Sequence, residues 1–376
     1  MNDYFEGAVR QLLQRGEYLL GSIQSGLPSE FHLLEQTCRR KLIEQMSALR
    51  RLIQDPQMRK PKYRQVRIRA YRRLIEDLDV LETIAIPALA RAHKSDRFLN
   101  CLVQQIRTEI RYPLLPPVVS PFSQNYFYIR EDFNLICVPL SEGNFLLHLP
   151  DVYHELAHPL VWETSYPIIR SYQISLIESL DEVRSWLYDE LDREKRGRGP
   201  DSYQFYLKHW MKSWEDWCIE FYCDLFATFT LGTGFAWSHF HLCAARGENP
   251  FEIPLMSVTT HPADDARMRT ILAGLRLIGF EQDAAEVEKH WEDLIVSLGV
   301  SPEPEYQRCF PTHILKLLSE KALKGVEAMG CRIVSSDTHD PVHTALNQAW
   351  REFWQAPARY AAKERKLIED LKGSIC

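Results

Sequence analysis

The chain has 376 residues, 45% of them apolar and 26% charged, with 9 Trp, 16 Tyr and 17 Phe. That composition excludes wholesale disorder, and the length suits two or three packed units. The net charge of −6 argues against a dedicated nucleic-acid binder, but the average hides a segregated charge.

The first thirty residues place no basic leader before an apolar run, so no signal peptide is expected. The nine cysteines are odd in number and form no CxxC pair, which reads as reduced thiols in a cytoplasmic protein. The terminal GSIC is not a prenylation box, whose cysteine must stand fourth from the end.

Residues 1–112 are expected to form a helical N-terminal domain. Apolar residues recur three and four apart through EFHLLEQTCRRKLIEQMSALRRLI and RRLIEDLDVLETIAIPALARAH, with breaks near Pro28, Pro56 and Pro61. From Arg39 to Arg73 thirteen basic residues face only Glu44 and Asp55. This arm carries +11 and leaves −17 for the rest of a chain whose total is −6. It suits an acidic partner, an anionic membrane surface, nucleic-acid phosphates, or a solvated face paired with the acidic remainder. Arg64, Arg67, Arg69, Arg72 and Arg73 spread over more than one helical face, and no finger, RRM or GxxG clamp accompanies them.

A catalytic domain is expected over 113–299. It opens with a proline-rich connector, RYPLLPPVVSPFSQ, followed by two short strands in NYFYIREDFNLICVPL around the turn-like REDFN. GNFLLHLPDVYHELAH reads as a loop and then a helix. Further helices are expected over 172–196, 202–230, 234–246, 262–278 and 281–298, and a helical C-terminal extension, 300–376, adds 312–328 and 342–372. The fold class is therefore α+β: mainly helical, with a small sheet beside an active-site helix. The weakly charged stretch 225–245 is just long enough to span a bilayer. Its two His, its Ser and Thr residues and its paired Gly favour a buried helix–turn–helix, so no transmembrane segment is expected.

The strongest local signal is His154–Glu155–Leu156–Ala157–His158. Spacing four puts both imidazoles on one helical face, where they can hold one metal ion, with Glu155 beside them as a general base. Zinc is the ion such a pair implies, and it lowers the pKa of a bound water toward neutrality. Pro159 follows at once, which predicts a kink or a stop just beyond the second His. A catalytic zinc needs a third ligand. WEDWCIEFYCDLFATFTLG offers Glu220, with Asp224 one turn on to accept the distal N–H of a ligand His. Trp210, Trp214, Trp217 and Phe221 mark that helix as buried, and carboxylates inside it need partners. Glu178, with Glu182 four residues on, is the rival third ligand, on a more exposed helix.

In TTHPADDARMRTILAGL, Thr260 or Thr259 is placed to cap a helix, with Pro262, Asp264 and Asp265 in its first turn. His261 then stands at the helix mouth and Arg267 in the second turn. Both are candidate stabilisers of an oxyanion, alongside Tyr153. The plain alternatives are an ordinary cap-region His and an Arg paired with an acid.

Together HExxH, ExxxD and HPxxxxR resemble the gluzincin zinc metallopeptidases over roughly residues 125–280. His261, Pro262 and Arg267 match the fixed positions of the last block in the Ste24/HtpX-like branch. The resemblance implies that His154, His158 and Glu220 bind zinc, that Glu155 activates water, and that Asp224 orients a ligand His. It also implies an edge strand, for which 134–139 is the candidate, pairing with an extended peptide substrate. Two departures stand out: that branch is typically membrane-embedded, and here an extra charged helix separates His158 from Glu220. Two other readings remain open, a nucleic-acid-associated effector using the metal site and a scaffold with a structural or inactive one.

Overall fold

Amphipathic periodicity in the first ninety residues folds as expected. The computed structural model describes every residue except 1, 25, 59, 92–96, 124–125, 198–200 and 256, so Arg59 of the basic arm lies outside the described residues. Helices α1 (Asn2–Ser22), α2 (His32–Gln54) and α3 (Arg64–Val80) are separated near the three prolines. A π-turn, Leu81–Ala85, then leads into the short α4 (Ile86–Ala90). In α2 the buried positions are Leu34, Cys38, Leu42, Met46, Leu49, Leu52 and Ile53, a stripe that repeats every three or four residues until its last pair. The stripe meets buried side chains of the sheet, Val118, Leu135 and Cys137, in one core.

The sheet has three strands, β1 (Val118–Ser123), β2 (Tyr128–Arg130) and β3 (Leu135–Pro139), in the order β1-β3-β2. β2 and β3 form the expected antiparallel pair, joined through a 3₁₀ turn and Asn134 at φ 48°. β1 was not expected: it lies inside the proline-rich connector and pairs parallel with β3. Val118 and Val119 favour extended backbone, and β1 is an edge strand, where Pro121 can lack an N–H without breaking a central ladder, whereas 134–139, expected as an edge strand for a substrate, is central and paired on both sides.

The basic arm is knitted into this part of the chain. Arg39 pairs with Glu35 at 2.8 Å, Lys41 with Asp132 at 3.2 Å and Arg50 with Glu17 at 3.3 Å. Arg67 is buried with its guanidinium carbon 3.8 Å from the centroid of the Phe5 ring.

The chain divides into two compact units, one of Met1–Asn100 with Pro117–Leu140, the other of Cys101–Pro116 with Ser141–Cys376. All three strands thus belong with the N-terminal helices, while residues 300–376 share a unit with the HExxH helix.

The second unit holds most of α5 (Arg97–Ile110) and then α6 (Asp151–Trp162), α7 (Arg170–Gly197), α8 (Asp201–Leu231), α9 (Thr233–Arg246), α10 (Asp264–Leu277) and α11 (Glu281–Leu298). α12 (Pro304–Cys309), α13 (Thr312–Ala328), α14 (Pro341–Gln355) and α15 (Tyr360–Ile375) complete it. α12 was not anticipated, and the single helix expected over 342–372 is two. Pro357, lacking an N–H, opens a 3₁₀ turn between them. α8 is the central element, packed on by α6, α7, α10 and α13. Every residue from Glu220 to Leu231 is buried, which requires apolar side chains all round the helix. α8 ends at Gly232, whose φ of 83° turns the chain into α9, so 225–245 is the expected helix–turn–helix. Among the described residues no helix is long and apolar enough to cross a membrane.

The expectation of uniformly reduced cysteines does not hold. Cys101 and Cys376, 275 residues apart, form a disulfide with a Cα–Cα distance of 5.8 Å. A pair so distant in sequence leaves no spacing signature. The other seven cysteines form no disulfide and are buried.

Candidate metal centre

Helix α6 presents its whole first two turns to the interior, with Asp151 to Ala157 buried and Asp151 in the first turn, where a carboxylate suits the helix dipole. Pro159 does not end the helix, which continues to Trp162. The Gln173 side-chain amide donates to the carbonyls of Leu160 at 3.1 Å and Glu163 at 2.7 Å, satisfying the end of that last turn. The two imidazoles lie with ring centroids 5.1 Å apart, as spacing four requires.

Glu220 of α8 reaches both rings, each with a different oxygen. Oε2 is 3.4 Å from His154 Nε2 and Oε1 is 3.9 Å from His158 Nε2. Oε2 is buried and makes no hydrogen bond of normal geometry. Asp224, one turn on and fully buried, accepts from His154 Nδ1 at 2.8 Å. Its two oxygens also accept from Arg267 Nε at 2.8 Å and Nη2 at 2.7 Å. The bidentate guanidinium fixes the carboxylate, the carboxylate fixes the imidazole, and Nε2 is left directed at Glu220.

Burial opposes ionising Asp224, but the Arg267 charge and hydrogen bonds overcome it and hold the carboxyl well below its ordinary range. Glu220 shows the same opposition, and the neighbouring His154 brings it down to about 2. Burial disfavours charging His154, yet the hydrogen bond to Asp224 and the nearby Glu220 carboxylate outweigh it and raise that imidazole to about 10. At His158 burial and the neighbouring His154 outweigh the pull of Glu220 and lower the imidazole to about 4, which leaves a neutral ring with a lone pair to give.

The remaining residues separate clearly. His261 stands at the exposed rim, its side chain 65% accessible, with Nε2 3.8 Å from Glu220 Oε2. The helix behind it starts later than expected. Ala263 is the N-cap, without a side-chain cap bond, while Thr259 Oγ1 accepts from Trp217 Nε1 and donates to the His261 carbonyl. Arg267 is corrected from an oxyanion donor to a positioning residue, because it is buried and its Nε and Nη2 are committed to Asp224. Tyr153 is fully buried among the fields of Glu109 and Asp340, not at the rim. The rival Glu178 is 58% exposed and pairs with Lys321 at 3.2 Å, which removes it as a ligand.

One residue escaped the sequence reading. Cys223, on α8 one turn after Glu220, offers a sulfur that falls within 4.8 Å of one ring nitrogen of each of His154 and His158. Its signal was the i, i+3 relation to Glu220 within ExxCD. Burial and the neighbouring carboxylates push its thiol well above its ordinary range, so Glu220, already ionised, is the better-prepared third ligand.

The donor set fits a zinc ion. Two imidazoles on one helical turn and a carboxylate with an unbonded buried oxygen converge. Glu220 and Asp224 are held ionised against Arg267 and a charged His154, and a divalent cation would take the place of the His154 proton. Comparison with protein-family models, curated proteins and solved structures finds no match for this chain.

Proposed function

We propose that this protein is a zinc-dependent endopeptidase. The observation that carries the reading is that Glu220 reaches His154 Nε2 at 3.4 Å with one oxygen and His158 Nε2 at 3.9 Å with the other, backed by the Asp224–Arg267 pair and open at His261. His154, His158 and Glu220 would hold the ion, which when bound supplies Lewis acidity toward a water and the scissile carbonyl. Glu155, next to His154 on the buried face of α6, takes the proton of the attacking water and returns it to the leaving amine. His261 at the rim faces the charge developing on the carbonyl oxygen. Asp224 and Arg267 keep the His154 ring in register and the site's negative charge ordered.

The test uses zinc-loaded protein with fluorescent casein and a mixed library of quenched fluorogenic peptides. Glu155→Gln is expected to retain its zinc content while hydrolysis falls by about 10²–10⁴-fold. Undiminished hydrolysis in that variant, or hydrolysis insensitive to a chelator, sinks the reading.

A further inference from the structure

A second group of metal-ligating side chains lies beside α10. His239 and Cys243 stand four apart on α9, so they share one face, and Asp264 is the first residue of α10. His239 is 2% and Cys243 5% exposed, and the Asp264 side chain is 16% exposed. One donor atom from each of the three falls within 4.8 Å of the others.

The spacing is informative. Zn–S and Zn–N bonds of about 2.3 and 2.05 Å at a tetrahedral angle put sulfur and nitrogen about 3.6 Å apart. Cys243 Sγ and His239 Nε2 are 3.6 Å apart. Two protein groups now occupy these donors: His239 Nε2 makes an ordinary hydrogen-bond contact of 3.1 Å with the Asp264 carbonyl oxygen, whereas Arg246 Nη1 approaches Asp264 Oδ1 only to 4.0 Å.

We propose that His239, Cys243 and Asp264 form a second cation site for zinc or a softer divalent ion, separate from His154, His158 and Glu220. A thiolate, an imidazole and a carboxylate select a borderline or soft ion over magnesium or calcium. Binding releases the Cys243 thiol proton to solvent. It also requires the His239 proton on Nδ1, so Nε2 exchanges its contact with the Asp264 carbonyl for the metal. The ion clamps the second half of α9 to the first residue of α10, one turn before Arg267. It therefore acts as a structural clip behind the positioning pair Arg267–Asp224, not as a reaction centre.

Cadmium is the probe, because a cadmium–thiolate bond gives an ultraviolet charge-transfer band that carboxylate and imidazole ligands do not. Cd²⁺ is titrated into the full-length protein, with bound metal counted by mass spectrometry. Wild type, Cys223→Ser and His158→Ala are expected to show the band, and Cys243→Ser to lose it together with one bound ion. Asp264→Asn, at a partly exposed position, is expected to weaken the band-forming event about tenfold, and it serves if Cys243→Ser does not fold. A band that persists in Cys243→Ser, or that disappears only in Cys223→Ser, overturns the second site. Loss of an ion in His158→Ala with the band intact bears on the first centre alone.

Discussion

Asp224 shows how a single residue ties the chemistry of the centre to the fold. A carboxylate with no exposure costs several kcal/mol to ionise unless it is fully bonded, and Arg267 and His154 supply three bonds to its two oxygens. Metal affinity should therefore rank the neighbours by role. Glu220→Ala is expected to lower zinc affinity more than about 100-fold, and Asp224→Asn by about 10–100-fold through loss of ring orientation. Cys223→Ser should change it less than about threefold. Competition against a chelating dye measures all three; weak binding in Cys223→Ser beside normal binding in Glu220→Ala would move the third ligand to sulfur. The meeting of His154, His158, Glu220 and Asp224 was readable because helical spacing alone sets which side chains share a face. The direction of Arg267 was not, since it depends on where α10 packs against α8. Tyr153 failed for a simpler reason: it lies on the other side of His154 from Glu155, turned by about 100° into the interior toward Glu109 and Asp340.

At the level of elements, sequence periodicity located nearly every helix, because apolar repeats of three and four are imposed by the helix itself. It missed β1, which takes its conformation from the parallel partner β3, and it ran α14 into α15 by giving Pro357 too little weight. Crossing distances were equally hidden. α7 and α13 pack closely because Gly325 presents no side chain at the contact: a Cβ there would lie 2.4 Å from Ser175 Oγ and 3.2 Å from the Tyr172 Cα. The Ser175 hydroxyl already donates to the Tyr172 carbonyl at 2.8 Å, and Tyr172 donates to the Tyr222 carbonyl of α8, so the strain would spread toward the helix that carries Glu220. Gly325→Ala is expected to destabilise the protein by about 1–3 kcal/mol, although alanine is the better helix former. Thermal unfolding of the two proteins decides it; an unchanged or raised midpoint would mean the helices separate at little cost.

For the molecule as a whole, the net charge of −6 is a sum over a basic arm built around α2 and α3 and an acidic remainder that includes the buried carboxylates of the centre. The sequence located that segregation but not its local use, which is ion pairing with residues as far along the chain as Asp132. Long-range closure was equally invisible. The C-terminal helices are not an appendage: Glu364 of α15 accepts from the backbone N–H of Leu146, just ahead of α6, and the chain's last residue is bonded to Cys101 in α5. The Cys101–Cys376 bond closes a loop of 275 residues around the elements that carry the candidate metal centre. Its removal frees the unfolded chain far more than the folded one, a difference that amounts to about 2–4 kcal/mol for typical disulfides. Cys101→Ser and Cys376→Ser should then lower the urea midpoint of the second unit equally, and a reducing agent should bring the wild type to the same value. Adding the reducing agent to either variant should change nothing further, because the other seven cysteines form no disulfide. A wild-type midpoint that ignores the reducing agent would show that the bond makes no contribution to stability.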